Sequence, residues 1–174
     1  MQQIENSLNI WRNSRNIKTF PLTIKDDLLK ELDEVKEALR NLDFNNYVEE
    51  IADIAIFALN GLGLLNVSHK PMRMSVIPTL NNLEAYINNI NIKMPIQTIN
   101  MLNIIITMCD ELVTAKRYDF KKVVLEKIKV ISSRLQNPVQ KKEWSKNGAR
   151  GKWEKHPHQN KDTLYIGNYG KCKV

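Results

Sequence analysis

The sequence has little cysteine, histidine or glycine, and these shortages exclude several classes of protein. Two cysteines and three histidines among 174 residues supply neither a disulfide framework nor the Cys and His spacing of a zinc site. The longest apolar run, residues 51–65, contains an aspartate and is shorter than the roughly 20 residues of a transmembrane helix. The first residues lack the basic start and apolar stretch of a signal peptide. We therefore expect a cytoplasmic protein that does not cross a membrane.

Positive charge is concentrated at one end of the chain. The net charge is +7, and residues 138–174 hold nine Lys or Arg against three Asp or Glu, a net charge of +6. We expect a folded domain over residues 1–137 and a basic, flexible C-terminal tail over residues 138–174. Tryptophans and tyrosines in this tail permit binding to single-stranded nucleic acid, although the balanced charge of the domain does not favour nucleic acid as the main partner.

Apolar residues recur at helical spacing and show no long alternation of period two. One stripe follows steps of four and three and consists of Leu28, Leu32, Val35, Leu39 and Leu42. The next segment, about residues 47–65, is apolar in nearly every direction, as in a helix at the centre of a bundle. Three further helical segments begin at Pro78, Pro95 and Asp119. The predicted fold is all-α, a bundle of four to five helices.

Two acidic pairs with the same three-residue spacing lie on consecutive predicted helices. At about 100° per residue, Glu31 and Glu34 lie on the flank of the first apolar stripe. Glu50 and Asp53 share one strip of the second helix with Asn60. A carboxylate among apolar residues has to be paired, protonated or bound to a cation.

The sequence favours a cation over a local salt bridge. No Lys or Arg occurs between Arg40 and Lys70, so a basic partner has to come from elsewhere in the fold. Hard oxygen ligands without histidine are typical of Mg²⁺ or Mn²⁺ sites rather than zinc or iron sites. The alternative is that the first pair lies on a solvated helix face, where Glu–Lys pairs stabilise the helix. Under that alternative, the protein is a non-enzymatic helical binding protein that acts through its tail.

The order Glu-x-x-Glu, fifteen residues, Glu-x-x-Asp resembles the signature of the MazG-like all-α nucleoside-triphosphate pyrophosphohydrolases. "NIWRNSRNI" (9–17) and "VEEIADIAIFALN" (48–60) are similar to two further segments of that family. The resemblance implies a metal-dependent enzyme that hydrolyses nucleoside triphosphates, chiefly dNTPs, to monophosphate and pyrophosphate. A narrow specificity for dUTP or dCTP stays open. It also implies Glu31, Glu34, Glu50 and Asp53 as Mg²⁺ ligands and a homodimer or homotetramer.

Four further residues are candidates for binding the substrate. Asn60 can hydrogen-bond sugar or phosphate, or it can cap the end of its helix. Trp11 can stack on a base, or it can be a core anchor. Arg15 and, through a loose similarity to the family's last helix, Lys127 can contact phosphate. The tail, residues 138–174, can close as a lid over the triphosphate.

Overall fold

The computed structural model describes residues 1–133, together with the backbone of two short strands at 164–166 and 170–172. Residues 1–133 form six α-helices, which confirms the all-α prediction. They are α1 (Gln2–Ser14), α2 (Ile24–Arg40), α3 (Phe44–Leu64), α4 (Leu80–Asn88), α5 (Pro95–Ala115) and α6 (Phe120–Ser133). Five of these helices correspond to the predicted segments, and α1 is an addition.

The chain divides into two compact units, Met1–Ile128 and Lys129–Val174. In the second unit, β1 (Leu164–Ile166) pairs antiparallel with β2 (Gly170–Cys172). Apart from these strands, residues 138–174 lie outside the described part of the chain, and so does the prediction that they form a flexible tail or a lid.

Helix α3 lies at the centre of the first unit, as its apolar composition predicts. It packs against α1, α2 and α5, and 13 of its 21 residues are buried. Gly61 permits close packing against α2 and α5, because a Cβ atom there would lie 2.6 Å from Cδ1 of Ile24 and 3.0 Å from Cδ1 of Leu102. The central position of α3 places its few polar side chains inside the bundle.

The ends of the helices follow local hydrogen bonding more than apolar spacing. Helix α3 begins at Phe44 because the side chain of Asp43 accepts a hydrogen bond from the backbone N–H of Asn46 at 3.0 Å. Helix α2 ends at Arg40, and Leu42 beyond it has a left-handed backbone with φ of 56°. Leu42 is 72 % exposed, so its assignment to the apolar stripe was wrong.

The connection between α3 and α4 is fastened to helix α5. The side-chain oxygen of Asn103 accepts hydrogen bonds from the backbone N–H of Lys70 at 2.7 Å and from Nδ1 of His69 at 3.0 Å. Oε1 of Glu5 on α1 accepts from the backbone N–H of His69 at 2.7 Å. This loop therefore joins α1, α3 and α5.

Helix α5 is, within the described residues, the one helix long and apolar enough to cross a membrane. Half of the relevant stretch is buried inside the fold. Core helices of globular proteins meet the same criterion, so this helix is weak evidence for a membrane span.

Candidate metal centre

Three of the predicted acidic residues come together inside the bundle. Glu31 lies on α2, and Glu50 and Asp53 lie one turn apart on α3, the helix that packs most extensively against α2. One carboxylate oxygen of each residue lies within 4.8 Å of the others. Their exposures are 2 %, 1 % and 3 %, which contradicts the alternative of a solvated face for Glu31.

Glu34 is the fourth predicted ligand and differs from the other three. It is half-buried, one helical turn beyond Glu31 on α2, and it does not belong to the group of oxygens within 4.8 Å. Glu37, a further turn along, is exposed. The acidic face of α2 thus runs from the buried cluster to solvent.

Lys127 supplies the basic partner that the neighbouring sequence lacks. Its Nζ atom lies 3.0 Å from Oδ2 of Asp53 and 3.5 Å from Oε2 of Glu49, and the lysine is 8 % exposed. Burial lowers the pKa of Lys127, but the charges of Asp53, Glu50 and Glu49 and the hydrogen bond to Asp53 outweigh burial, so the net shift is upward. Lys127 is therefore a cation at neutral pH.

Acidic side chains outnumber basic ones in the cluster. Among the described buried groups, Glu31, Glu50 and Asp53 carry three formal negative charges and Lys127 carries one positive charge. Holding such charge in an apolar interior is unfavourable unless a counter-charge is present. Three carboxylate oxygens at this spacing can hold a metal ion.

Asn60 does not cap its helix, because α3 continues to Leu64. Its Oδ1 atom accepts a hydrogen bond from Nη1 of Arg12 at 3.0 Å. Arg12 was missing from the sequence-based candidates, although it is 6 % exposed. The sequence does contain a signal, since Ile4, Leu8 and Arg12 are four residues apart and lie on one face of α1.

Trp11 and Arg15 form a pair with each other. Cζ of Arg15 lies 4.5 Å from the centroid of the Trp11 ring, a cation–π contact that covers one face of the indole. Trp11 is half-buried, so it is not a fully buried core anchor, and its buried Nε1 has no hydrogen-bond partner among the described residues.

No protein-family model matches the chain, and neither a curated protein nor a solved structure is significantly similar to it. The family resemblance drawn from the acidic spacing stays a prediction.

Proposed function

We propose that the protein is a metal-dependent nucleoside-triphosphate pyrophosphohydrolase whose centre is the cluster of Glu31, Glu50 and Asp53. The observation that carries the proposal is that three carboxylates from two helices, all at most 3 % exposed, have oxygens within 4.8 Å of one another. A purely structural role would not require three buried carboxylates at one point, because apolar residues fill a helix interface at lower free energy.

Each side chain has a defined task in this proposal. A divalent cation at the cluster supplies neutralisation of triphosphate charge and activation of a water molecule. Glu31, Glu50 and Asp53 hold the cation, and Lys127 fixes the orientation of Asp53 through its ion pair. Glu34 completes the ligand set or orients the water that attacks the α-phosphorus. The water oxygen then ends on the nucleoside monophosphate, and pyrophosphate leaves.

The structure changes the proposed substrate contacts. Lys127 is engaged by Asp53 and Glu49, so we assign it a positioning role rather than a phosphate contact. Asn60 and the Trp11–Arg15 pair stay candidates for contacts to sugar, base or phosphate. We also propose a homodimer or homotetramer, which a mass measurement by light scattering will test.

The decisive experiment is an assay of pyrophosphate release from a panel of dNTPs and NTPs, with Mg²⁺ or with EDTA. We expect release that depends on Mg²⁺ and yields the monophosphate. Asp53→Asn should reduce the rate at least about 100-fold, an effect comparable to the loss of other well-placed charge-stabilising groups. Asp33→Asn, which changes a 78 % exposed side chain on α2, should leave it unchanged. Absence of release from every nucleotide would refute the proposal.

A second candidate function is favoured by the ion pair between Lys127 and Asp53. A pair at 3.0 Å between side chains that are 8 % and 4 % exposed is also what a structural polar cluster would contain. In that case the protein is a non-enzymatic helical binding protein. Thermal melting distinguishes the two functions. Only a metal centre leads us to expect a melting temperature that rises with Mg²⁺ or Mn²⁺ and falls back to its original value when EDTA is added.

A further inference from the structure

A second polar site lies between helix α1 and the end of helix α3. We call it the Arg12 cleft; it has a volume of about 260 Å³, and its polar lining includes Glu5, Asn6, Asn9, Arg12, Asn66 and Ser68. Asn60, which contacts Arg12, is seven residues beyond Asp53 on α3, a rise of about 10 Å along the helix. The Arg12 cleft is therefore separate from the acidic cluster.

The guanidinium group of Arg12 is held in a fixed position within the fold. Nη1 donates to Oδ1 of Asn60 at 3.0 Å, and Nη2 donates to Oδ1 of Asn9 at 2.7 Å. Gly63 makes room for it, because a Cβ atom there would overlap with Nη2 of Arg12. Helices α1 and α3 thus hold the guanidinium in place through the side-chain amides of Asn9 and Asn60, beside Gly63.

The charge of Arg12 is not matched by a contacting anion within the described residues. Both hydrogen-bond partners are neutral amide oxygens, and no carboxylate among residues 1–133 makes an ion pair with Arg12. Burial lowers the pKa of Arg12 and the charge of Glu5 raises it, but arginine stays protonated in proteins. A guanidinium has five N–H donors, and these two amide oxygens occupy only two of them.

We propose that the Arg12 cleft binds a phosphate group. A guanidinium presents paired donors that match phosphate oxygens, and Asn6, Asn66 and Ser68 add amide and hydroxyl donors to the lining. A phosphate group supplies an anion in direct contact with the guanidinium, where the described hydrogen-bond partners of Arg12 are neutral amides. The group belongs either to a free anion, such as phosphate or pyrophosphate, or to a nucleotide.

Glu5 sets the strength of this site. Its carboxylate lines the same cleft and is held by the hydrogen bond from the backbone N–H of His69 at 2.7 Å. Its negative charge opposes an incoming anion. Glu5→Gln removes this charge and keeps an oxygen that can accept the same hydrogen bond, so this variant should bind phosphate more tightly.

The test is calorimetric titration of the full chain with inorganic phosphate, in EDTA and at constant ionic strength. Asn9→Asp keeps an acceptor for Nη2 of Arg12 and adds a carboxylate that neutralises the guanidinium. We expect it to weaken phosphate binding about tenfold or more, since a hydrogen bond to a charged group contributes on that scale. The matched control is Asn13→Asp, which adds the same charge at an exposed position on α1 outside the cleft and should bind as the unchanged protein does.

The basic residues 138–174 also attract phosphate, but they are the same in every variant, so differences between variants report the cleft. Equal affinity for the unchanged chain, Asn9→Asp and Glu5→Gln would refute the proposal. Should Asn9→Asp fail to fold, the Nε–Hε resonance of Arg12 in the ¹⁵N-labelled unchanged protein decides. Movement of this resonance with phosphate supports the site, and a resonance that does not move refutes it.

The source of the phosphate group follows from competition. If a dNTP displaces inorganic phosphate, the cleft binds a phosphate group of the nucleotide. If it does not, the cleft is a separate anion site. Both outcomes presuppose that the cleft binds phosphate. Asp53→Asn should retain phosphate binding in EDTA whether or not pyrophosphate is released from nucleotides. The cleft and the proposed hydrolysis can therefore fail independently.

Discussion

At the scale of single residues, the ion pair of Lys127 with Asp53 determines the electrostatics of the acidic cluster. The amine is buried and stays charged because nearby carboxylates outweigh the effect of burial on its pKa. The carboxylates in turn depend on the amine, because a buried charge that loses its partner is strongly destabilising. Removing the amine should therefore be more disruptive than removing an exposed lysine.

We expect Lys127→Met to lower the free energy of unfolding by about 3 kcal/mol, the scale for breaking one partner of a buried pair. Mn²⁺ should restore part of this loss by supplying the missing positive charge. Chemical denaturation with and without Mn²⁺ measures both effects. Lys121→Met changes an exposed lysine of the same helix and is the control, with no substantial effect expected. A Lys127→Met protein as stable as the unchanged chain would contradict this account of the cluster.

The pairing of Lys127 with Asp53 could not be predicted from spacing, because the two residues are far apart in sequence and meet only through tertiary packing. The sequence did contain part of the signal. Lys127 lies beside Ile128 and one turn after Val124, both of which are buried. A lysine on the apolar face of a helix points toward the interior, and it requires an acidic partner there.

Leu42, after the end of α2, has unusual backbone geometry. Its φ of 56° lies in the left-handed region, which is unfavourable for a residue with a Cβ atom. Glycine adopts this conformation readily and is the usual residue at such a helix end. Because Leu42 is 72 % exposed, losing its side chain removes little packing.

Leu42→Gly should therefore raise the free energy of unfolding by about 0.5 to 1 kcal/mol, after the entropy of glycine in the unfolded chain is subtracted. Leu39→Gly, inside the last turn of α2, should lower it by about 1 kcal/mol. Thermal or urea unfolding of the two variants gives the comparison. If Leu42→Gly lowers the free energy of unfolding, the leucine side chain makes a more stabilising contact than its exposure indicates.

At the scale of elements, the loop between α3 and α4 is the connection with the most specific polar contacts. Oδ1 of Asn103 accepts from the backbone N–H of Lys70, which fixes the orientation of the amide, and Nδ1 of His69 therefore donates its hydrogen to the same oxygen. Asn103 is 4 % exposed. This buried amide substitutes for regular secondary structure in holding the loop.

The pKa of His69 is lowered, chiefly because burial disfavours the charged imidazole; its hydrogen bond to Asn103 and the charges of Glu5 and Asp110 oppose this shift. The folded state thus binds a proton less readily than the unfolded chain, whose histidine has the ordinary pKa of 6.5. Stability from this group is fully present above pH 6.5 and is lost as the pH falls toward the lowered pKa. We expect the melting temperature to decrease with falling pH just below 6.5.

His69→Gln should flatten this pH dependence, because glutamine does not titrate. His156→Gln changes a histidine outside the described residues and is the comparison for unrelated histidine effects. Melting curves in a series of buffers between pH 5 and 7.5 measure the slopes. The same slope in His69→Gln and in the unchanged chain would assign the pH dependence to other groups.

The helices themselves could be predicted to different extents. Helices α3 and α5 are long and apolar, and their spacing predicted them well. Helix α1 was missed because its apolar residues are few and most of its surface is polar; its buried side is completed by Arg12. The apolar spacing of α2 continues to Leu42, but this residue lies beyond the helix because the backbone turns there.

At the scale of the whole molecule, the sequence predicts a site only where helices that are adjacent in the chain form it. Helices α2 and α3 are joined by a short turn, so they pack side by side and their acidic strips meet. The Arg12 cleft depends on contacts between α1, α3 and the loop after α3, which apolar spacing does not specify. The sequence therefore indicated the acidic cluster and contained no comparable indication of the cleft.

The division of the chain into two units leads to a prediction about the basic end. Glu31, Glu50, Asp53 and Lys127 all lie within the first unit, Met1–Ile128, and removing residues 138–174 lowers the net charge from +7 to +1. If the ligands of the cation are complete in the first unit, the shortened chain of residues 1–137 should retain helix content and the rise in melting temperature with Mn²⁺.

Circular dichroism melting with Mn²⁺ or EDTA measures this for the full and the shortened chain. Binding of single-stranded oligonucleotides at low salt should be lost with the removed residues, because most of the excess positive charge is lost with them. Pyrophosphate release by the shortened chain tests the lid: an unchanged rate excludes it, and a loss of rate with the Mn²⁺ response intact supports it. Loss of the Mn²⁺ response itself would show that residues 138–174 contribute to the metal centre, contrary to the ligand set proposed from Glu31, Glu50 and Asp53.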